Sequence, residues 1–345
     1  MSDSEFVLDD LPDYVRASME LRDRWLKNAS TAGFEFIFSD VTAWAPGQVV
    51  TVAFLGGSDA LRNDVAKATS QITDACNIKL DFWTDASRTS FRTWSESDTQ
   101  YNGQIRVSFD MGGYWSLVGQ DSINASIAPD GAPVGGRPNQ RSLNLGGFAQ
   151  QRPASWQGTT RHEFMHAIGF HHEHQNMRGP AEVEFRWEDD PGYIPTTNAN
   201  GSFIPDGAGR RPGIYTFLAG PPNRWSKGKI DSNLRTTDNP NVVASAFDNA
   251  SVMLYRFPAL FYRHNPSPAA PSGDGQDLSE GDKRGLRLLY PFQEVRAVDN
   301  LLDRRSNLAK VAEAPVSAGL ESVGGGGAEP EFLQGIRAAL KNNTR

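Results

Sequence analysis

Apolar residues in the first half of the chain recur at the spacings of alternating strands and helices. Residues 49–55 are almost continuously apolar, which predicts a buried strand. From Asp59 to Cys76 apolar residues recur at steps of three and four, which is typical of an amphipathic helix. Residues 78–82 and 105–109 alternate between apolar and polar positions and predict two more strands. This strand–helix–strand order predicts an α/β half with a largely parallel sheet.

The pattern becomes less regular beyond these elements. Residues 112–118 and 142–145 predict further strands, and the Pro-, Gly- and Asn-rich segment 121–141 between them predicts an exposed loop. After residue 175 no period dominates, so we expect an irregular, loop-rich C-terminal half. A helix is predicted again at 278–290, where a serine and an aspartate have the spacing of a capping box.

The two ends of the chain are predicted to be extensions of one main domain. Residues 1–40 form an N-terminal extension with a helix, either packed on the body of the protein or removable as a pro-segment. Residues 41–294 form the main domain. Residues 295–345 form a C-terminal extension with a glycine linker and a short amphipathic helix.

Composition excludes several classes of function. The net charge of −7 does not favour nucleic acid as a partner, and no apolar run approaches the roughly 18 residues of a membrane span. The single cysteine, Cys76, cannot form an intrachain disulfide. The first thirty residues contain no hydrophobic signal segment, so we expect a cytoplasmic or non-classically exported protein. The oligomeric state is left open.

Histidines are concentrated in one short segment. Only six occur in 345 residues, and five of them lie between residues 162 and 174. The segment contains the pattern H-E-x-x-H-x-x-G-x-x-H, formed by His162, Glu163, His166, Gly169 and His172.

This spacing predicts a catalytic metal centre. Histidines four apart on a helix lie about 6 Å apart on nearly the same face, so His162 and His166 can reach one ion. His172 would lie about 15 Å farther along an uninterrupted helix, so it can join them only if the chain turns back. Gly169 stands where that turn is needed. Three imidazoles leave a coordination position for water, as in catalytic zinc sites, and Glu163 is placed to take a proton from that water.

The histidines also have explanations that involve no catalytic site. A His-rich surface helix that binds metal adventitiously is the alternative for the whole segment. We expect His171 and His174 to be surface or supporting residues rather than extra ligands. His264 is isolated in the sequence, and we expect it to be structural or exposed.

A second motif follows in residues 247–255, with the sequence FDNASVMLY. Met253 or Tyr255 alone would indicate core packing. After the histidine pattern, however, they match a Met-turn, in which methionine packs beneath the metal. HEFMHAIGFHHEH together with SVMLY resembles the astacin branch of the metzincin zinc endopeptidases. Phe170 and Glu173 indicate that branch.

The resemblance spans roughly residues 42–292 and implies a metzincin-like catalytic domain of the α+β class with one catalytic Zn²⁺. Such a domain has a mostly parallel twisted sheet and an active-site helix in its N-terminal half, and an irregular, loop-rich C-terminal half. At matching positions it implies that His162, His166 and His172 are the zinc ligands and that Glu163 is the general base. It also implies that Tyr255 is a switchable fifth ligand and transition-state donor, and that Met253 is the Met-turn residue. It further implies an edge strand that aligns an extended peptide by β-pairing, formed by Tyr114, Trp115, Ser116, Leu117 and Val118. Arg161 departs from the family, which usually has an aliphatic residue before the first ligand.

The expected function is therefore that of a zinc-dependent metalloendopeptidase acting on a peptide or protein substrate. Two alternatives stay open: a catalytically inactive zinc-dependent peptide-binding protein, and a zinc amidase acting on a non-protein substrate. Family members are usually held inactive by a pro-segment with an acidic residue at the zinc. Asp40 is a candidate for that residue, and an ordinary loop aspartate is the alternative.

Overall fold

The computed structural model describes residues 11–31, 42–236 and 246–292. The described chain divides into two compact units. The larger unit comprises residues 11–31, 42–171 and 276–292, and the smaller unit comprises residues 172–236 and 246–275.

A five-stranded sheet forms the centre of the larger unit. In chain order its strands are β1 (Val49–Phe54), β2 (Lys79–Asp81), β3 (Ile105–Ser108), β4 (Tyr114–Ser116) and β5 (Leu143–Leu145). Their spatial order is β2-β1-β3-β5-β4. The pairs β1–β2, β1–β3 and β3–β5 are parallel, and β4 alone runs antiparallel, at the edge. The prediction of an α+β fold with a mostly parallel sheet is confirmed.

Two short helices follow β1 in place of the single predicted helix over Asp59–Cys76. Helix α2 (Asp59–Ala68) is capped by Ser58, whose hydroxyl accepts a hydrogen bond from a backbone N–H of the first turn. Helix α3 is Ser70–Ala75. The prediction of one continuous helix is wrong at Thr69, whose hydroxyl donates to the carbonyl of Ala66 at 2.8 Å. A Thr hydroxyl bound in this way competes with helical bonding and favours an interruption.

The histidine-bearing helix α4 (Trp156–Ala167) contacts strands β4 and β5. Every residue of α4 from Thr160 to Ala167 is buried, so its polar side chains are held inside the unit. The carbonyl of Ala167 accepts a hydrogen bond from the Trp44 indole at 2.8 Å, and the carbonyl of Ile168 accepts one from the Tyr290 hydroxyl. These bonds fix the end of α4, where the chain must turn.

Two further helices complete the larger unit. Helix α8 (Glu280–Leu289) begins with the predicted capping box between Ser279 and Asp282. Helix α1 (Asp13–Thr31) packs Val15 against an apolar cluster that includes Trp115 of the edge strand β4. The prediction of a helix in the N-terminal extension is confirmed. Asp40 and the segment 295–345 lie outside the described residues, and the predicted domain bounds stay a prediction.

The smaller unit is rich in loops, as the sequence predicts. Its helices are short: α5 (Ala181–Glu184), α6 (Ile214–Ala219) and α7 (Lys227–Leu234). Strands β6 (Thr196–Thr197) and β7 (Phe203–Ile204) form an antiparallel hairpin. Aromatic rings fill its interior, among them Phe185, Phe257 and Phe261.

Within the described ranges, no helix has the length and apolar character that crossing a bilayer requires.

An ion pair between the buried Arg141 and the half-exposed Asp110 gives the larger unit a predictable dependence on pH. Arg141 donates to both carboxylate oxygens of Asp110, at 2.9 and 2.5 Å, and these bonds hold the pKa of Asp110 below its usual value. A carboxylate with a lowered pKa stabilises the fold above its unfolded pKa, and this contribution is lost as the pH falls through the folded value. Urea unfolding should therefore show that Asp110→Asn costs stability at about pH 6 and progressively less toward about pH 3. A cost that stays constant or grows over this range would contradict the assignment.

Candidate metal centre

His162 and His166 lie one helical turn apart on α4 and are both buried. Their Nε2 atoms are 3.2 Å apart, and their ring planes are nearly perpendicular. The Nδ1 of His166 lies 2.7 Å from the carbonyl oxygen of Phe170. Because a carbonyl can only accept a hydrogen bond, this contact places the proton of a neutral His166 on Nδ1 and leaves the Nε2 lone pair available.

The chain leaves the helix through the turn that the sequence predicts. The N–H of Gly169 donates to the carbonyl of His166 at 2.8 Å, and the N–H of Phe170 donates to the carbonyl of Met165 at 3.0 Å. These two bonds form a Schellman motif around Gly169, which has a φ of +104°. Glycine alone adopts such a φ without strain, so the residue ends the helix and redirects the chain toward His172.

The redirected chain brings the third predicted ligand to the other two. One ring nitrogen each from His162, His166 and His172 lies within 4.8 Å of the others. Within the part of the chain that the structure describes, no other group of three or more His, Cys, Asp or Glu side chains is arranged to hold a metal ion.

These residues fit a zinc ion. Zinc–nitrogen bonds of about 2.0–2.1 Å in tetrahedral geometry place two ligand nitrogens about 3.3 Å apart. The observed 3.2 Å between the Nε2 atoms of His162 and His166 matches this separation. The carbonyl of Phe170 also orients one ligand ring from its far side, as carbonyl oxygens do for zinc-bound histidines.

Glu163, the predicted general base, follows the first ligand on α4 and is 1% exposed. The fully buried side chains of Phe164 and Met165 lie next to it in the same helix. The carboxylate therefore belongs to a buried stretch of helix rather than to a surface loop.

The predicted Met-turn is compact and buried. Met253 is 2% exposed, and its N–H donates to the hydroxyl of Ser251 at 3.0 Å. Its carbonyl accepts a hydrogen bond from the N–H of Glu173 at 3.0 Å. The ring of Tyr255 lies 4.4 Å from the ring of His172, centroid to centroid. The structure thus places the predicted phenol against the third predicted ligand.

Two supporting contacts are not evident from the sequence. One carboxylate oxygen of Glu173 accepts hydrogen bonds from the Asn176 amide and the Asp248 N–H, both at 2.9 Å, and so ties the third ligand's turn to the Met-turn segment. His174 is completely buried and stacks on Tyr255. The contacts of Glu173 with Asp248 and of His174 with Tyr255 join the histidine motif to the Met-turn motif, which lies far away in the sequence. Only a pairing of these two motifs could have indicated them.

The remaining histidines differ from one another. His171 has an exposed side chain, in keeping with a surface role. His264 is exposed and its Nδ1 lies 3.0 Å from a carboxylate oxygen of Glu184. Neither belongs to the three-histidine group.

The residues predicted to align a peptide lie at the sheet edge. Tyr114, Trp115 and Ser116 form β4, which pairs only with β5 among the described strands. Leu117 and Val118 continue from it and are buried.

Arg161, the departure from the family pattern, has a structural explanation. Its Nε donates to the carbonyl of Ala68 at 3.0 Å, and its Nη1 lies 3.2 Å from a carboxylate oxygen of Asp277. The arginine thus fastens the ligand-bearing helix to the end of α2 and to the segment before α8. An aliphatic residue at this position could make neither contact.

Comparisons with known proteins give structural neighbours only. No protein-family model matches the chain, and no curated protein matches it. It is similar to two structures of myroilysin. One has 26% identity over 75% of this chain and 98% of that one, with a TM-score of 0.49. The other has 25% identity over 72% of this chain and 86% of that one, with a TM-score of 0.41. It is also similar to high choriolytic enzyme 1, a hatching-enzyme zinc-protease of the medaka fish Oryzias latipes. The identity is 17% over 74% of this chain and 98% of that one, with a TM-score of 0.41.

The turn at Gly169 can be tested by substitution. Nothing lies within 3.4 Å of a Cβ built at this position, so Gly169→Ala isolates the cost of the positive φ. We expect it to lower the free energy of unfolding by about 1–2 kcal/mol and to weaken zinc binding, because the redirected chain carries His172. The matched control is Gly112→Ala, at an exposed glycine with open space and no positive φ. Zinc affinity and stability equal to those of the control would contradict this account of the turn.

Proposed function

We propose that this chain is a zinc-dependent metalloendopeptidase of the astacin-like kind, hydrolysing internal peptide bonds of peptides or proteins. The observation that carries the proposal is the convergence of the three histidine nitrogens within 4.8 Å, with a buried glutamate directly after the first of them. A structural zinc site needs no adjacent buried base, whereas hydrolysis does.

Zinc bound by the three histidines would supply a water of lowered pKa and polarise the scissile carbonyl. The carboxylate of Glu163 accepts a proton from the attacking water and passes it to the departing amine. The phenol of Tyr255 donates a hydrogen bond to the oxygen of the carbonyl under attack, where negative charge develops. The ring contact between Tyr255 and His172 supports this role because it keeps the phenol beside the ligand set.

The position of β4 at the edge of the sheet supports an extended peptide as the substrate, with Trp115 and Ser116 of this strand buried. β4 is the last strand in the sheet order, and β5 occupies only one of its two hydrogen-bonding edges. A peptide that pairs with the other edge would align its backbone through main-chain hydrogen bonds and leave its side chains to set specificity. This mode of binding favours a peptide over a small non-protein amide.

The first experiment is Glu163→Gln, which keeps the size and burial of the side chain but removes its basicity. We expect one zinc per chain as in the wild type, and a fall in peptidase kcat of about 10²–10⁴-fold in a quenched-peptide assay. The matched control, Glu188→Gln at an exposed position, should keep full activity.

Removal of zinc by a chelator should abolish cleavage, and added zinc should restore it. A wild type that binds zinc and peptide without turnover would instead establish a binding protein. Cleavage of small amides but not of peptides would establish an amidase. A fully active Glu163→Gln enzyme would remove Glu163 from the mechanism.

The second experiment is Tyr255→Phe. We expect kcat to fall by about 100-fold with unchanged zinc content, because only the hydrogen bond to the developing oxyanion is lost. Tyr262→Phe is the matched control, since the buried Tyr262 hydroxyl has no hydrogen-bond partner among the described residues. Equal kcat values for the two variants would show that the Tyr255 phenol takes no part in the reaction.

A further inference from the structure

His174 lies inside a group of stacked rings next to the third ligand. Its ring is 5.0 Å from that of Tyr255 at an interplanar angle of 25°, and 5.0 Å from that of His172 at 27°. Phe257 packs edge-on against it at 5.1 Å. The His174 imidazole therefore stacks on both the proposed zinc ligand His172 and the proposed oxyanion donor Tyr255.

A backbone hydrogen bond holds this ring in place. The Nε2 of His174 lies 2.8 Å from the carbonyl oxygen of Asn233 in α7, so that nitrogen carries the proton and donates. The residue is completely buried, in the 3-10 helix Glu173–Gln175 that begins directly after His172. Because it lies outside the three-histidine group, we treat His174 as a support and not as a fourth ligand.

The geometry explains why Tyr255 needs such a support. The His172 ring lies 4.4 Å from the Tyr255 ring, centroid to centroid, and the Phe257 ring packs edge-on against the Tyr255 ring at 5.7 Å. The parallel face of His174 restricts rotation of the phenol between these two neighbours. A hydrogen-bond donor acts on a developing charge only if it is held in place before the charge appears.

We propose that His174 is a positioning residue, which holds the Tyr255 phenol against the ligand set through ring stacking anchored by the carbonyl of Asn233. This inference rests on the proposed function for its consequence in catalysis, but the ring arrangement itself can be tested without turnover.

The test compares His174→Ala and His174→Phe with the wild type, and uses His264→Ala, at an exposed histidine, as the matched control. The chain has eight tyrosines, so fluorotyrosine labelling gives a small ¹⁹F NMR spectrum in which Tyr255→Phe identifies the Tyr255 resonance. We expect that resonance to move toward its unfolded position in His174→Ala, to stay near the wild-type position in His174→Phe, and to be unaffected in His264→Ala. This measurement needs no bound zinc and no activity.

Kinetics of the zinc-loaded variants supply the second readout. We expect His174→Ala to lower kcat about tenfold with KM and zinc content unchanged, and His174→Phe to recover most of that loss. In a Tyr255→Phe background, His174→Ala should lower kcat no further, because both changes remove the same interaction.

The outcomes separate the two proposals. An unchanged Tyr255 resonance in His174→Ala, additive losses of kcat, or a loss of zinc in place of kcat would each overturn the positioning role. A zinc-loaded wild type that cleaves no peptide would overturn the proposed function. A Tyr255 resonance shifted by His174→Ala in that inactive protein would still support the positioning role.

If His174→Ala does not fold, His174→Phe and His174→Gln decide the question, since glutamine keeps a donor but lacks a ring. Equal behaviour of these two would overturn the proposal.

Discussion

The convergence of three imidazoles depends on a single reversal of the chain. His162 and His166 need only a helix to share one ion, but the third ligand requires that the helix stop within one turn of the second. The two hydrogen bonds around Gly169 make that stop, and its φ of +104° is costly for any residue with a side chain. The geometry of the site therefore depends on backbone as much as on the ligands.

The reversal works because the surroundings hold both of its ends. On one side the carbonyl oxygens of Ala167 and Ile168 are bonded to buried side chains, so the helix terminus is fixed. On the other side the carboxylate of Glu173 bonds to the Asp248 N–H, and its own N–H bonds to the Met-turn. Bonds at both ends of the turn therefore define the backbone path from His166 to His172.

Much of this could be predicted from the sequence because the decisive signals are local. Helical spacing of the histidines, a glycine at the turn and the capping box at Ser279 each depend on residues a few positions apart. The failures have non-local or competing causes. Thr69 breaks a helix that its apolar periodicity supports, because its hydroxyl bonds to a backbone carbonyl. The surroundings of His174 are also non-local, because its ring stacks on Tyr255, 81 positions away, and its Nε2 bonds to the carbonyl of Asn233. Sequence spacing carries no information about such a contact.

X-ray absorption at the zinc edge of the purified, zinc-loaded protein tests the central claim most directly, because it counts the ligands without reference to activity. The account predicts three imidazole nitrogens at about 2.0–2.1 Å, with oxygen ligands completing a four- or five-coordinate shell. A spectrum with two or fewer imidazoles, or with a six-coordinate shell of oxygens, would contradict it.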